Sequence, residues 1–423
     1  MPTDHNDAAS GTELVSCPTA RTRQLAELSE DMIMEILLRL PARTLVSLRS
    51  VCKSWRNLIS SPDFTRNHLR SSCLRDPSLT PLRIVCYNSW PFSSTGVRYN
   101  GIGVVSLQSI MDNPSEATKV DYFRGQHNYR IVGSCHGLLC FFDDHDNQNT
   151  HGILWNPCTG FTFQSPQLSG GTFPSGFGYD HLSDSYKLFG IIRKKGPSGV
   201  EYSTRIYTFG STSSWRRIDD SPFGLLGIRT SSHFCMAENG VFFGSSRACT
   251  INWIVNHHVV LYFDLGKETY AHFTLPDTDS SDYLLILCKK LCVLRNCLSV
   301  CYGYLRTQHA IVWQMKEYGD AQSWTKLAMI SFRGLVSPLQ PFYLSETDVL
   351  LAVFSSFKIV LCNLNAGSLD FPVIDEEKNH YLSQSVGPWM AYIYRESLVS
   401  PNGLQSNSSK MLLRFFKPKP TVS

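Results

Sequence analysis

Residues 28–59 read LSEDMIMEILLRLPARTLVSLRSVCKSWRNLI, and this stretch decides that the chain begins with helices. Its first apolar residues recur at helical spacing, which predicts an amphipathic helix of about three turns: Ile33, Ile36, Leu37 and Leu40. Acidic residues lead this helix and Arg39 ends it, an order that suits the helix dipole. Pro41 stops it, because proline has no N–H to continue the hydrogen-bond ladder. A second short helix runs through Leu45, and a third ends before Pro62.

These three helices carry more apolar side chains than they can enclose. Chains of this size are usually marginal without a staple or a partner. Each apolar side chain that a partner covers contributes about 1.5–3 kcal/mol, so about three or four of them suffice for a helix-in-groove interface. The alternative is an ordinary helical subdomain packed on the rest of the chain. The pattern alone leaves both interpretations open.

Separated positions in this stretch carry a family resemblance. They are Leu28, the run Ile36-Leu37-x-Arg39-Leu40-Pro41, Leu45 and the run Val51-Cys52-Lys53-Ser54-Trp55-Arg56. Together they resemble the F-box, which docks substrate receptors on the Skp-type adaptor of SCF (Skp–cullin–F-box) ubiquitin ligases. The resemblance implies that adaptor, and through it cullin, as partners. It implies adaptor contact, or support of the three helices, for Leu28, Ile36, Leu37, Leu40, Pro41, Leu45 and Trp55. Ser29 stands where the family usually has proline, and serine is a good helix N-cap.

Composition describes a globular chain rich in β-structure, because 43% of the residues are hydrophobic, 12% aromatic and only 17% charged. A net charge of +4 is too small to predict binding to nucleic acid or to a membrane surface. No apolar run approaches the length of a membrane span. The 14 cysteines, without a secretory signal at the polar N-terminus, indicate reduced thiols and therefore the cytoplasm or the nucleus.

From residue 82 onward, short apolar strands recur at a regular interval. Their centres are residues 105, 155, 207, 262, 313 and 361, so the interval is 48 to 55 residues. A further strand follows each centre. Four strands in a period of about fifty residues predict a β-propeller blade. Hairpin turns are predicted upstream of the centres, at His136-Gly137, Asp184-Ser185, Asn239-Gly240, Lys289-Lys290 and Thr347-Asp348.

The two ends of the repeat region supply one more blade. Strands near residues 82–87, 103–107 and 119–123 make three, and Met390–Arg395 returns as the fourth, which closes the ring and removes its exposed edges. The predicted fold class is mainly β with a small α N-terminal domain: a three-helix F-box followed by a β-propeller-like domain of six blades. A β-sandwich or an open ring of six or seven blades is the alternative. The predicted segments are a flexible N-terminus (1–24), the F-box domain (25–70), a linker (71–81), the propeller-like domain (82–400) and a C-terminal tail (401–423).

Motifs in the repeat region carry a second resemblance. They are residues 133–140 (GSCHGLLC), 155–160 (WNPCTG), 176–180 (GFGYD) with Tyr186-Lys187, and 394–400 (YRESLVS). These motifs are similar to those of the F-box-associated interaction domain, which follows the F-box in a large plant family of receptors also described as F-box/kelch. The resemblance covers nearly all of residues 82–400 and implies that this domain binds the substrate. Family members recognise unrelated targets, so the substrate itself is not indicated.

Each cluster with a possible chemical role has a simpler explanation. The spacing of Cys288, Cys292, Cys297 and Cys301 is C-x3-C-x4-C-x3-C rather than the paired C-x2-C of zinc sites, and cysteine in strands behaves as a small buried hydrophobe. His257-His258 cannot share one site from a regular strand, because consecutive residues point to opposite faces. Cys135-His136 is adjacent at a turn, which is no sign of catalytic geometry. We expect no metal, no cofactor and no catalytic residue.

These features together predict a substrate-recognition subunit of an SCF-type E3 ubiquitin ligase, without catalysis of its own. The F-box docks on the adaptor, and the propeller binds an unknown protein target. Two polar loops, residues 143–151 and 193–199, are candidates for target contact because recognition usually falls on such loops. Two alternatives stay open: a propeller scaffold without a ligase role, and a propeller enzyme that depends on a metal or a cofactor.

Overall fold

A computed structural model describes residues 29–74, 81–89, 100–114, 120–125, 129–143, 149–196, 199–210, 214–222, 240–245, 248–276, 286–304, 307–332, 339–354, 359–370 and 390–401. The predicted N-terminal segment, Leu28, most of the linker and nearly all of the C-terminal tail lie outside these residues. Within them the chain forms a group of helices followed by six sheets of strands. This architecture confirms the predicted fold class.

Four helices begin the described chain: α1 Glu30–Leu37, α2 Ala42–Leu48, α3 Lys53–Ser60 and α4 Pro62–Leu74. The side chain of Ser29 caps α1 by accepting the N–H of Met32 at 3.3 Å, so serine replaces the usual proline without loss of the helix start. Helix α1 is shorter than predicted, and a turn leads from it to Pro41, the N-cap of α2. Helix α4 continues beyond residue 70, where the predicted F-box domain ends.

The strands follow in chain order, and the first of them belong to three blades. Blade 1 holds β1 Leu82–Ser89, β2 Asn100–Ser106 and β3 Val120–Gly125, with a short helix, α5 Leu107–Asp112, after β2. Blade 2 holds β4 Tyr129–Cys135, β5 Leu138–Asp143, β6 Asn149–Trp155, β7 Thr162–Gln164 and β8 Leu168–Ser169. Blade 3 holds β9 Gly171–Asp180, β10 Ser185–Gly196, β11 Gly199–Thr208 and β12 Arg216–Arg217.

The remaining strands form three more blades and complete the first. Blade 4 holds β13 Val241–Gly244, β14 Cys249–Val255, β15 Val259–Asp264 and β16 Thr269–Thr274. Blade 5 holds β17 Ile286–Leu294, β18 Cys297–Tyr304, β19 His309–Met315 and β20 Trp324–Ser331, with a 3₁₀ helix at Ala321–Ser323. Blade 6 holds β21 Leu339–Leu344, β22 Val349–Phe354, β23 Ile359–Asn363 and β24 Ser368–Asp370, and β25 is Met390–Arg395.

Strand β25 closes the ring. It pairs antiparallel with β1, from Leu82 opposite Arg395 to Tyr87 opposite Met390, and so becomes the first strand of blade 1. The first strands of the six sheets are β25, β4, β9, β13, β17 and β21; each contacts the next, and β21 contacts β25. The predicted six blades and the predicted return of residues 390–395 are both confirmed.

Three of the five predicted hairpin turns, at His136-Gly137, Asp184-Ser185 and Thr347-Asp348, fall between paired strands, and one is wrong. Asn239 of the remaining pair lies outside the described residues. His136, Gly137 and Asp348 have φ of 51°, 82° and 58°, which suits the tight turns predicted there. The pair Lys289-Lys290 lies inside β17 instead, and the turn falls at Arg295-Asn296. The prediction was wrong because apolar residues on both sides of the lysine pair continue the strand to Leu294. Helix α5 had no counterpart in the sequence prediction.

The core lies between neighbouring blades rather than at one centre. Strand β5 is buried along its whole length, because its alternate residues pack in opposite directions. Phe142 packs against blade 3, with Leu188 and Tyr207, whereas Phe141 packs against blade 1, with Val85. The next seam packs Phe189 of blade 3 against Trp253 of blade 4, with ring centroids 5.1 Å apart. Because each blade is covered by the next, no blade has an adequate core alone.

Candidate functional site

The N-terminal helices expose apolar side chains. Five large hydrophobic residues of the described chain are strongly exposed, and three of them lie here: Met32 at 53%, Ile36 at 48% and Val51 at 61%. Met32 and Ile36 are four residues apart on α1 and therefore share one face of the helix. Two large exposed apolar side chains on one helix face make this face a candidate for an interaction site.

The seven residues predicted to contact the adaptor differ in burial. Ile36 is exposed, and Leu40, Pro41 and Trp55 are partly buried, whereas Leu28 lies outside the described residues. Leu37 and Leu45 are 1% and 0% exposed and form the core of the helices with Ala42, Ile59 and Phe64. Leu37 and Leu45 thus pack inside the helices, and adaptor contact by any of the seven residues stays a prediction.

The ring completes the small core of the helices. Leu398, which follows β25, is 2% exposed and belongs to the same cluster as Leu37 and Phe64. Cys158, in the turn between β6 and β7, packs against that cluster from blade 2. The ring thus covers some of the apolar side chains of the helices, and others stay exposed on α1.

A buried carboxylate joins the helices to the ring. Glu396 is 1% exposed, and its Oε1 accepts from Arg43 Nε of α2 at 2.6 Å and from Arg83 Nε of β1 at 2.9 Å. Burial lowers the pKa of Arg43, but the carboxylate of Glu396 outweighs burial, so the pKa is raised. Charge-assisted hydrogen bonds of this kind are stronger than neutral ones.

Neighbouring polar groups hold the segment that carries Glu396. Asn156 Nδ2 donates to Ser397 O at 3.1 Å and to Val399 O at 2.8 Å, and Ser397 Oγ donates to His136 O at 2.7 Å. Gly137 has no room for a side chain, since a Cβ there would lie 2.3 Å from Ser397 Oγ. Residues of three of the four ring motifs therefore meet at this place, which the sequence did not reveal.

The fourth ring motif has a similar structural role at the seam between blades 3 and 4. Lys187 Nζ lies 3.0 Å from Asp180 Oδ2 and donates to Leu265 O at 2.6 Å. Glu268 accepts from Lys187 at 3.2 Å and binds Arg216 with both oxygens. Burial raises the pKa of Asp180 and of Glu268, but their hydrogen-bond donors outweigh it and lower both. Paired on all sides, Lys187 is buried without an uncompensated charge.

His136 is expected to make the stability of the folded protein depend on pH. Its Nδ1 lies 3.1 Å from Tyr186 Oη, and its ring lies 4.7 Å from that of Tyr179. Burial lowers the pKa of His136 to about 4, although Asp184 acts in the opposite direction. The unfolded state binds a proton at His136 near pH 6.5, and the folded state does not. The contribution of His136 to the free energy of unfolding is therefore fully present above pH 6.5 and is lost as the pH falls toward 4.

We expect the free energy of unfolding to fall by up to about 3 kcal/mol between pH 7 and 4 because of His136. Burial also lowers the pKa of His68, which acts in the same direction. The contribution of His136 is therefore the difference between the acid-dependent loss of stability in the wild type and that in the variant His136→Asn. Asparagine tolerates the positive φ of 51° at this position. Urea unfolding midpoints at several pH values measure the effect. An equally steep acid loss in His136→Asn would contradict it.

The strand ends that border both loops predicted to contact a target lie on the opposite face of the ring. The β4–β5 and β9–β10 turns lie beside the helices, where Arg66 Nη2 of α4 reaches Asp184 Oδ2 at 3.4 Å. Successive strands are antiparallel, so the β5–β6 and β10–β11 connections lie at the other ends of the strands. Strand β10 has 12 residues and spans about 36–40 Å, longer than β5 with 6 residues. The central residues of both loops, 144–148 and 197–198, are outside the described chain.

The cysteines and histidines considered for a chemical role lie in strands and turns. Cys292 and Cys301 are buried on β17 and β18, and burial raises the pKa of the Cys292 thiol to about 12. Burial likewise raises the pKa of Cys135, which leaves its thiol protonated beside His136. His257 has a φ of 61° in the β14–β15 turn, as a turn residue would. Within the described ranges no group of three or more His, Cys, Asp or Glu residues could hold a metal ion, and no helix there is long and apolar enough to span a bilayer.

Helices with exposed apolar side chains, in contact with one side of a closed six-bladed ring, define a propeller protein with an N-terminal helical domain. Comparison with sequence families gives the particular class. The F-box domain model matches residues 25–67, and the F-box associated beta propeller domain model matches residues 92–401. The chain belongs to the family of F-box proteins with an F-box associated β-propeller domain.

Curated relatives have the same organisation. F-box/kelch-repeat protein At3g23880 of Arabidopsis thaliana is 29% identical over 397 residues, which cover 88% of this chain and 96% of that protein. F-box protein CPR1, from the same plant, is 26% identical over 328 residues, which cover 72% of this chain and 73% of that protein. An F-box followed by a propeller indicates the SCF substrate-receptor family, and the F-box implies binding to a Skp-type adaptor.

Proposed function

We propose that this chain is the substrate-recognition subunit of an SCF-type ubiquitin ligase. The observation that supports it is the open apolar face of α1, at Met32 and Ile36, within the residues that match the F-box. The Skp-type adaptor covers this face and connects the chain to cullin. Ile36, Leu40, Pro41 and Trp55 are the predicted contact residues that are not buried in the helical core.

The ring binds a protein target on the face opposite the helices. Helices α1–α4 lie beside the face that carries the β4–β5 and β9–β10 turns, and the described strand ends at the β5–β6 and β10–β11 connections lie on the other face. Loops on one face of a rigid scaffold are the usual place for recognition. The subunit performs no chemistry. It accelerates ubiquitin transfer by holding the target near the activated ubiquitin, which makes the reaction effectively intramolecular.

Reconstitution from purified proteins tests this function. The full chain, mixed with a Skp-type adaptor and cullin at about 10 μM each, is expected to co-elute with both in size-exclusion chromatography, since specific docking has a Kd of about 1 μM or lower. Targets captured under proteasome inhibition are expected to cross-link to residues beside the β5–β6 and β10–β11 connections. A chain that captures partners but never enters the adaptor–cullin complex would instead be a scaffold.

A further inference from the structure

The contacts around Glu396 do more than stabilise the ring, because they connect the F-box helices to a segment of the ring that is distant from them in sequence. Arg43 and Glu396 are 353 positions apart, yet their side chains meet at 2.6 Å. The residues that join the helices to the ring directly along the chain, 75–80, lie outside the described structure. Among the described residues, the segment that follows β25 contacts the helices through Glu396 and Leu398, and Cys158, Leu69 and Arg66 provide further contacts between helices and ring.

We infer that residues 396–399 form a positioning joint that fixes the F-box helices in one orientation on the ring. Each residue of this joint has a different contact. Glu396 accepts from α2 and from β1, Ser397 binds the β4–β5 turn, Leu398 enters the helical core and Val399 enters the core between blades 2 and 3. A single short segment thus contacts the helices and three places on the ring.

The joint restricts orientation because its contacts are directional and well supported. The two arginines approach one carboxylate oxygen from different domains, so rotation of the helices would leave Glu396 with one of its two cationic partners. Asn156 fixes the backbone on both sides of Leu398 through the carbonyls of Ser397 and Val399. Leu398 cannot withdraw from the helical core without opening a cavity there.

The functional meaning of the joint rests on the proposed function. A target bound at the far face of the ring lies at a defined distance from the adaptor only if the helices do not swivel. A fixed arrangement keeps the effective concentration of the target lysine at the activated ubiquitin high, whereas a loose one spreads it over a larger volume. Residues 396–399 are therefore positioning residues, which need to touch neither adaptor nor target.

Distances between spin labels test the joint. One label is placed at Asn57 on α3 and one at Lys326 on β20, both exposed, through non-natural amino acids that spare the cysteines. The wild-type chain is expected to give one narrow distance distribution. In Arg43→Ala/Leu398→Ala we expect its width at least to double, because Glu396 keeps Arg83 but the helices lose both contacts. A ring-internal pair, Lys267 and Lys326, is expected to stay unchanged.

The matched control is Arg66→Ala, which removes a second ion pair that the described residues form between helices and ring. Arg66 and Asp184 are 45% and 52% exposed, so this pair contributes little. An unchanged width in the double variant, or an equal broadening in Arg66→Ala, would overturn the joint. If the double variant disturbs the ring-internal pair, Arg43→Ala alone decides: broadening supports the joint and a wild-type width refutes it.

A second measurement separates the joint from the proposed function. Adaptor affinity of Arg43→Ala/Leu398→Ala is expected to stay within about threefold of wild type, since the open face of α1 is untouched. The distance experiment needs no adaptor and no target. A chain that fails to bind the adaptor would therefore refute the ligase role while the narrow wild-type distance still supports the joint.

Discussion

A chain that ends at residue 389 is expected to yield no folded monomer. This truncation removes β25, so β1 loses six residue pairs and becomes an exposed edge at the inner side of blade 1. Tyr394, which is 2% exposed, leaves the cluster that it forms with Val85 and Ile131. Contacts from β25 to both β4 and β21 are also lost, so the ring opens.

Size-exclusion chromatography and near-ultraviolet circular dichroism measure the outcome of this truncation. We expect aggregated protein without the near-ultraviolet signal of ordered aromatic side chains. The matched control is a chain that ends at residue 401, which keeps β25 and the joint and is expected to stay monomeric and folded. A folded monomer from the shorter chain would show that ring closure by residues 390–395 is dispensable.

The variant Ile36→Asp is expected to weaken binding to a Skp-type adaptor by about 30- to 1,000-fold. Ile36 is 48% exposed, so the substitution leaves the helical core intact. Its effect arises at the interface, where burial of the side chain is lost and a carboxylate would be desolvated, at a combined cost of about 2–4 kcal/mol. Substitution of Leu40 or Pro41 is less informative, because Leu40 packs on the helical core and Pro41 begins α2.

Titration calorimetry with purified adaptor measures this effect, and thermal unfolding verifies that the variant is folded. Met329→Asp is the matched control: Met329 is also a strongly exposed apolar residue, at 66%, but it lies on β20 in blade 5. Its affinity for the adaptor is expected to equal that of the wild type. Wild-type affinity in folded Ile36→Asp would remove the face of α1 from the proposed interface.

The sequence predicted the ring well because local signals and the global fold agree there. Turn residues such as His136-Gly137 recur at a period of about fifty residues, and Met390–Arg395 had no other place in that pattern. At Lys289-Lys290 the local signal and the fold disagree, which caused the error. The polar pair suggested a turn, but the flanking apolar residues pack on both neighbouring blades and keep the strand intact. Packing outweighed local preference.

The division of the helical residues could not be predicted in the same way. Ile36 and Leu37 are neighbours on α1, but only the packing of the helices on one another and on Leu398 decides that Leu37 is covered and Ile36 is not. Glu396, Asn156 and Leu398 stood within motifs quoted from the sequence, yet their partners lie hundreds of residues away. No periodic pattern carries information on such pairs.

The late position of the joint in the chain has a consequence during protein synthesis. The F-box leaves the ribosome before the ring does, and Glu396, which anchors it, emerges 353 positions after Arg43. A nascent chain halted by a premature stop codon or by damaged messenger RNA would expose both an unanchored F-box and an open sheet. Only chains translated beyond residue 399 would then have an anchored F-box and a closed ring, and shorter ones would become clients of chaperones and proteases.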